Sequence, residues 1–238
     1  MTNRFAGKVV LVTGGTGGLG RTVTLAFLQE GASVIASYIK KDEADALRDA
    51  VGPGAHLDLL PLDATNEEEC RTFVDGITAR HGRLDILVNT IGGYAAGKPM
   101  WETETQIFQL MLTLNLRTGY NLAKAAVPAM LRRKTGAIVN IAARAAFDHA
   151  AGAAAYATSK AAALALFDCL AQDLKGTGVR ANSVLPSIID TEPNRRAMPD
   201  ADFSKWPKPE EIARVILFLC SEDARVVHGA AIPVYGET

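Results

Sequence analysis

The chain is short of cysteine, histidine and net charge, and each shortage closes off a class of function. Cys70, Cys169 and Cys220 are odd in number and far apart. They make neither a disulfide frame nor a zinc site, and they read as reduced thiols of a cytoplasmic protein. His56, His81, His149 and His228 are scattered without metal-ligand spacing, so no metal is expected. Lys and Arg number 25 against 26 Asp and Glu, for a formal net charge of −1. No overall field then draws the chain to nucleic acid or to anionic lipid. No apolar run approaches the roughly 20 residues of a membrane span, and MTNRFAGKVVLVTGG carries no secretory pattern. The expected partner is a small-molecule substrate, with neither nucleic acid nor membrane involved.

What is present is a globular composition: 238 residues, 48% hydrophobic and 21% charged, enough for a core of ordinary size. Strand-like runs and helix-like runs alternate. Lys8–Thr13 is a short β-branched run of the kind buried in parallel sheets. A helix is predicted from about Arg21 to Gln29, a strand over Ser33–Ser37, a helix over Asp42–Val51 and a strand over His56–Leu62. Glu67–Arg80 reads as helix and Asp85–Asn89 as strand. A long helix, broken or whole, is predicted over about Thr103 to Arg133 with Pro128 near its end. Ala137–Ile141 is a strand, about Ala153 to Lys175 a helix rich in small residues, and Arg180–Leu185 a strand. Pro209–Cys220 and Ala230–Val234 complete the series. This alternation predicts an α/β fold, a Rossmann-type doubly wound parallel sheet of about seven strands with helices on both faces. With no repeat, linker or low-complexity tract, residues 1–238 are expected to form one domain. Ser187–Lys208 holds Pro193, Pro199, Pro207 and many charges, and it is the expected loose segment, of a length typical of lids.

Two motifs carry chemistry. Thr13-Gly14-Gly15-Thr16-Gly17-Gly18-Leu19-Gly20 follows a predicted strand and opens a helix. Glycines there permit a tight turn and let a pyrophosphate approach the backbone, and the helix N-terminus supplies N–H donors and a favourable dipole. Further on, Tyr156 and Lys160 stand four residues apart, one turn apart on one helix face. A phenol titrates near pH 10, and a neighbouring ammonium stabilises the phenolate and lowers that value. The pair is a candidate proton donor with its tuner.

Together the motifs resemble the short-chain dehydrogenase/reductase family, over essentially the whole chain. The family's Thr-Gly-x-x-x-Gly-x-Gly falls on Thr13, Gly14, Gly18 and Gly20, with Leu19 between the last two. Its acidic residue after the third strand, which holds the adenine, falls on Asp63. Its Asn-Asn-Ala-Gly falls on Asn89-Thr90-Ile91-Gly92, keeping the first Asn and the Gly. Its helix Asn, part of a proton relay, falls on Asn115, and its Tyr-x-x-x-Lys on Tyr156 and Lys160. Its Pro-Gly-x-x-x-Thr turn, which clasps the nicotinamide end, falls on Pro186, Ser187, Ile189 and Thr191, with Ser in place of Gly. The resemblance implies that Lys160 also bonds the nicotinamide ribose.

One departure stands out. The family places a catalytic Ser thirteen residues before the Tyr, and here that position is Ala143. Losing one such donor typically costs about 100- to 1,000-fold in rate. Three readings follow: a weak or dead enzyme, a substitute donor such as Tyr94 or Arg144, or a substrate that needs no donor. Gly92-Gly93-Tyr94-Ala95-Ala96-Gly97 and the stretch from Thr191 to Trp206 resemble the dihydropteridine reductase branch of the family, where a small residue also replaces the Ser. Such a substrate accepts hydride into a conjugated ring, and no localised alkoxide develops. Tyr94 is then a candidate to pack beside a flat substrate. Trp206 reads as a packing anchor, and Arg144 as either a structural charge or a substrate contact.

The expected cofactor is NADP(H) or NAD(H). An acid at the end of the second strand favours NAD. That position is Tyr38, and Lys40 and Lys41 follow, so the sequence leans toward NADP(H). The Ala153–Lys175 helix is apolar on more than one face. It cannot bury all of them against one sheet, and a homodimer or homotetramer is expected, as the resemblance also implies. Three functions compete. One is a reductase of a dihydropterin-like substrate with Tyr156 as proton donor, Lys160 as tuner and Asn115 as relay. The second is a carbonyl or 3-oxoacyl reductase with a substitute for the Ser. The third, from another class, is a catalytically weak sensor or scaffold.

Overall fold

The protein is described by a computed structural model covering residues 3–238. In its first strand, β1 (Val9–Thr13), every residue is buried. Val10 and Val12 enter one core, and Val9 and Leu11 enter the other. That is the period-two alternation of a strand covered on both faces, and it explains the unbroken apolar run. Fully burying a side chain such as Leu11 contributes about 1.5–3 kcal/mol.

The remaining elements follow in alternation: α1 (Gly18–Gln29), β2 (Ser33–Tyr38), α2 (Lys41–Val51), β3 (Leu57–Pro61), α3 (Glu67–His81) and β4 (Ile86–Asn89). Then come α4 (Thr105–Leu112), α5 (Thr118–Arg133), β5 (Gly136–Ile141), α6 (Ala154–Asp173), β6 (Val179–Pro186), α7 (Glu192–Ala197), α8 (Pro209–Cys220) and β7 (Ala231–Val234). The seven strands form one parallel sheet in the order β3-β2-β1-β4-β5-β6-β7. Val23 and Phe27 of α1 and Ile212 and Ile216 of α8 cover one face. Val74 of α3, Leu122 and Met130 of α5 and Phe167 of α6 cover the other. Strand order reverses between β1 and β4, and ligands of open α/β sheets bind outside the carboxyl ends of the strands at such a point.

Two expectations about elements need correction, and one alternative left open is decided. The first helix begins at Gly18, three residues before Arg21, because the glycines themselves form its first turn. The long helix is α4 and α5 joined through a π turn at Thr113–Arg117. Pro128 lies inside the C-terminal part of α5, as expected. It is on the exposed side, where water can serve the Lys124 carbonyl that a missing N–H would have bonded. Finally, Ser187–Lys208 is organised. It contains α7 and a turn of 3₁₀ helix at Phe203–Lys205. Trp206 is 5% exposed with its ring 4.9 Å from that of Phe203. Asp190 N–H bonds Pro207 O, and Glu237 N–H bonds Lys205 O, tying the segment at both ends.

Candidate active site

The carboxyl ends of four adjacent strands carry a buried polar row. Thr13, Asn89, Asn140 and Ser183 share one register line across β1, β4, β5 and β6. Thr13 Oγ1 donates to Asn89 Oδ1 at 3.0 Å, and Asn89 Nδ2 donates to Asn140 Oδ1 at 3.1 Å. These bonds link β1, β4 and β5, while Asn140 Nδ2 and Ser183 Oγ stay buried without a partner among the described residues. Asn140 and Ser183 escaped the sequence reading because only the sheet order aligns them with Asn89.

The glycine-rich loop is held from three sides. Gly14 N–H donates to Ser37 Oγ and Gly15 N–H to Ser37 O, both at the end of β2. Thr90 Oγ1, after β4, donates to Thr13 O at 2.7 Å and to Gly14 O at 3.2 Å. A Cβ on Gly20 would lie 2.1 Å from Gly14 O, so the helix can approach the loop this closely only as glycine. Gly17 caps α1 without any side-chain hydrogen bond, and the first turn carries no acid. The N–H groups around Gly18, Leu19 and Gly20 therefore present an uncapped helix N-terminus of the kind that takes a phosphate. From the far side, Thr191 Cγ2 lies 3.3 Å from where a Gly18 Cβ would sit. Thr191 stands at the end of the turn begun by Pro186. Its N–H bonds Ile189 O, which also accepts from Asn194 Nδ2.

The proton-transfer candidates converge at the same edge. Ser159, three residues after Tyr156, bonds Tyr156 O at 2.7 Å, and its Oγ accepts from Asn115 Nδ2 at 2.9 Å. Helical spacing from Tyr156 is the sequence signal that marks Ser159. Asn115 also clamps Gly93 by both backbone groups: its Oδ1 accepts from Gly93 N–H at 2.9 Å and its Nδ2 donates to Gly93 O at 3.0 Å. The π turn brings Asn115 to this position, and the clamp fixes the residue just before Tyr94. A Cβ on Gly92 would meet Asn115 Oδ1 and Lys160 Nζ, so the chain passes between them only as glycine. Lys160 is fully enclosed, and its Nζ donates to Ile141 O at 3.0 Å.

The expected tuning of Tyr156 by Lys160 is not what the protein alone displays. Burial pushes the Tyr156 phenol up to about 12, and the nearby Tyr94 hydroxyl adds to the rise. Burial pulls Lys160 down to about 8. The lysine spends its hydrogen bond on Ile141 O, and desolvation outweighs any mutual help. Tyr156 is thus held as a protonated phenol across the neutral range.

The substrate-side candidates separate. The Tyr94 ring stands edge-on to that of Tyr156, with centroids 4.8 Å apart, and Tyr94 is 73% exposed. Gly97 N–H bonds Gly152 O at 3.0 Å and closes the loop after Tyr94 onto the segment before α6. Ala143 is buried and extended, with only a methyl group to offer. Arg144 is engaged elsewhere: its Nε donates to Asp148 and its guanidinium lies 5.3 Å from the Tyr235 ring centroid. Asp63 is exposed after β3 and accepts from both Thr65 N–H and Thr65 Oγ1, which holds its carboxyl below the usual range. Tyr38 closes β2. Beyond it the two lysines are paired, Lys40 with Glu43 and Lys41 with Asp45. Glu43 also accepts from Thr16 Oγ1 in the glycine-rich loop at 3.2 Å, a contact no spacing rule announces.

Comparisons with known proteins agree with this geometry. A family model described as short chain dehydrogenase matches residues 8–202. A 3-oxoacyl-acyl-carrier-protein reductase of Thermotoga maritima is 32% identical over 242 residues, covering 98% of either chain. A structure of 7α-hydroxysteroid dehydrogenase complexed with NADH and 7-oxo glycochenodeoxycholic acid superposes with a TM-score of 0.90 at 30% identity, covering 99% of this chain and 95% of the other. A structure of ElxO with NADP bound gives 0.89 at 28% identity, covering 96% and 97%.

Proposed function

The chain belongs to the short-chain dehydrogenase family, and from that premise we propose that it is an NAD(P)H-dependent reductase of a flat, conjugated acceptor of the dihydropterin class. The observation that carries the substrate class is the pairing of a methyl at Ala143 with an exposed aromatic ring, Tyr94, set against Tyr156. A localised carbonyl asks for a hydroxyl at Ala143. A conjugated ring asks for a flat apolar wall beside the proton donor.

The residues present fit a dinucleotide. The uncapped start of α1 and the Cβ-free path at Gly14, Gly18 and Gly20 suit the pyrophosphate. Leu19 N–H belongs to the same turn. Tyr38 and Asp63 would hold the adenosine end. Asn89 and Gly92 would shape the floor of the site, and Pro186, Ile189 and Thr191 would hold the nicotinamide end. When bound, the nicotinamide supplies a hydride to the acceptor ring. Tyr156, protonated because it is buried, delivers the matching proton from its hydroxyl, so the acceptor gains two electrons and two hydrogen nuclei in all. Lys160 would hold the nicotinamide ribose, and its charge would stabilise the phenolate left behind. Asn115 fixes the loop that bears Tyr94 and lies, like Lys160, beside Gly92, where it would take part in the relay that reprotonates the phenol.

A second reading, carbonyl or 3-oxoacyl reduction, is favoured by the Thermotoga maritima relative. In that case Tyr94 is the substitute donor, since Arg144 is held by Asp148 and Tyr235. The deciding experiment is oxidation of NADH and NADPH with two acceptors side by side: a dihydropterin generated in situ by oxidising a tetrahydropterin, and a panel of ketones including an acetoacetyl thioester. Turnover of the pterin with silent ketones supports the first reading. Ketone turnover that Tyr94→Phe removes supports the second. Silence on all acceptors, with cofactor still bound, leaves a sensor or scaffold.

A further inference from the structure

The end of β2 lacks the acid that marks a site for an unphosphorylated adenosine ribose, yet a carboxylate reaches that place from another element. Glu43 lies in the first turn of α2 and turns back over the glycine-rich loop. Its Oε2 accepts from Thr16 Oγ1 at 3.2 Å, and its Oε1 accepts from Lys40 Nζ at 3.0 Å. Thr16 is itself buried. The loop that carries it is bonded to Ser37 at the end of β2 through Gly14 and Gly15. The carboxylate is thereby fixed across the gap between the loop and the end of the second strand, where folds of this kind meet the adenosine ribose hydroxyls.

We propose that Glu43, anchored by Thr16, selects a dinucleotide with a free ribose 2′-hydroxyl and rejects the 2′-phosphate, making the protein NAD(H)-dependent. The inference rests on the dinucleotide reading of the site. A 2′-hydroxyl donates to a carboxylate. A 2′-phosphate brings about −1.5 to −2 charges toward it, and the two lysines that follow the strand are already paired with carboxylates. Lys40, exposed, is paired with the same Glu43, and Lys41 is paired with Asp45. To serve a phosphate, Lys40 must first leave Glu43. The lysines that favour NADP(H) in the sequence are, in three dimensions, one half of two ion pairs.

The test is equilibrium binding by calorimetry of NAD+, NADP+, 5′-AMP and adenosine 2′,5′-bisphosphate. We expect the wild-type protein to bind NAD+ about tenfold or more tightly than NADP+, and 5′-AMP more tightly than the bisphosphate. Glu43→Gln should shrink that preference about fivefold by improving NADP+ binding. Thr16→Val, which frees Glu43 without removing it, should shrink it by a smaller factor. Equal or tighter NADP+ binding by the wild type overturns the proposal, as does a preference unchanged in both variants. Failure of all four nucleotides to bind overturns the dinucleotide reading together with it. A preference for NADP+ in a protein that still turns over substrate overturns this selectivity alone.

Discussion

At the scale of single residues, the site pays for its chemistry with two buried titratable groups. On the proposed mechanism Tyr156→Phe removes the transferable proton and little else. Turnover should fall by about 100- to 10,000-fold, while calorimetry shows cofactor affinity changed by no more than about twofold; retained turnover removes Tyr156 from the mechanism. Lys160 offers a prediction with a sign. Its folded-state value is pulled from 10.5 down to about 8 by burial. Between those two values the unfolded chain binds more protons than the folded one, so stability rises with pH. Below pH 8 the full penalty is present, on the order of 3 kcal/mol. The urea-unfolding free energy of the wild type, less that of Lys160→Met, should therefore grow from pH 7.5 to 9.5. Tyr156 titrates above that window and does not disturb it. A flat difference means that Lys160 is neutral or solvated in the folded protein.

At the scale of elements, the π turn between α4 and α5 shows what spacing rules capture and what they miss. The strands and most helices are legible because alternation and apolar periodicity are local consequences of burial. The positions of Tyr156, Lys160 and the glycine-rich loop are legible because each motif is contiguous. The break at Thr113–Arg117 is not, since its cause is tertiary: Asn115 gives its side chain to Gly93, 22 residues earlier. The same holds for Thr90 on the glycine-rich loop, Glu43 on Thr16, and the Thr13–Asn89–Asn140–Ser183 row, each of which joins residues that only the sheet order makes neighbours. Helical spacing pairs Lys160 with Tyr156, and spacing does not reveal that Ile141 O takes its hydrogen bond. If the clamp shapes the loop, Asn115→Ala leaves the Gly93 N–H and C=O without their partners. The cost should be about 1–3 kcal/mol, and amide exchange should accelerate across residues 92–97. Destabilisation without faster exchange in that loop would confine Asn115 to packing.

At the scale of the whole molecule, the sheet buries one face of each helix and leaves other apolar side chains outward. Phe108 and Leu110 of α4 and Tyr120 and Leu131 of α5 are exposed. On α6, Leu166 and Leu170 are only partly covered. Among the described residues no helix is long and apolar enough to cross a membrane, so lipid is not an occupant these helices can span. The α4–α6 face is continuous, since α4 and α6 pack against each other and α5 joins α4 through the π turn. A second copy of the chain covers like with like, because a two-fold axis sets the same patch against itself. Light scattering coupled to size exclusion should therefore return twice or four times the protomer mass at micromolar concentration. Phe108→Glu with Leu110→Lys, both on exposed positions, should lower that mass toward one protomer while circular dichroism stays unchanged. A wild-type protein that elutes as a single protomer would leave these side chains to water, and the small-residue surface of α6 would then need another explanation. Asn115 and Ser159, bonded to each other, stand on the π turn and on α6 beside that face, so the double variant should lose turnover as well as mass.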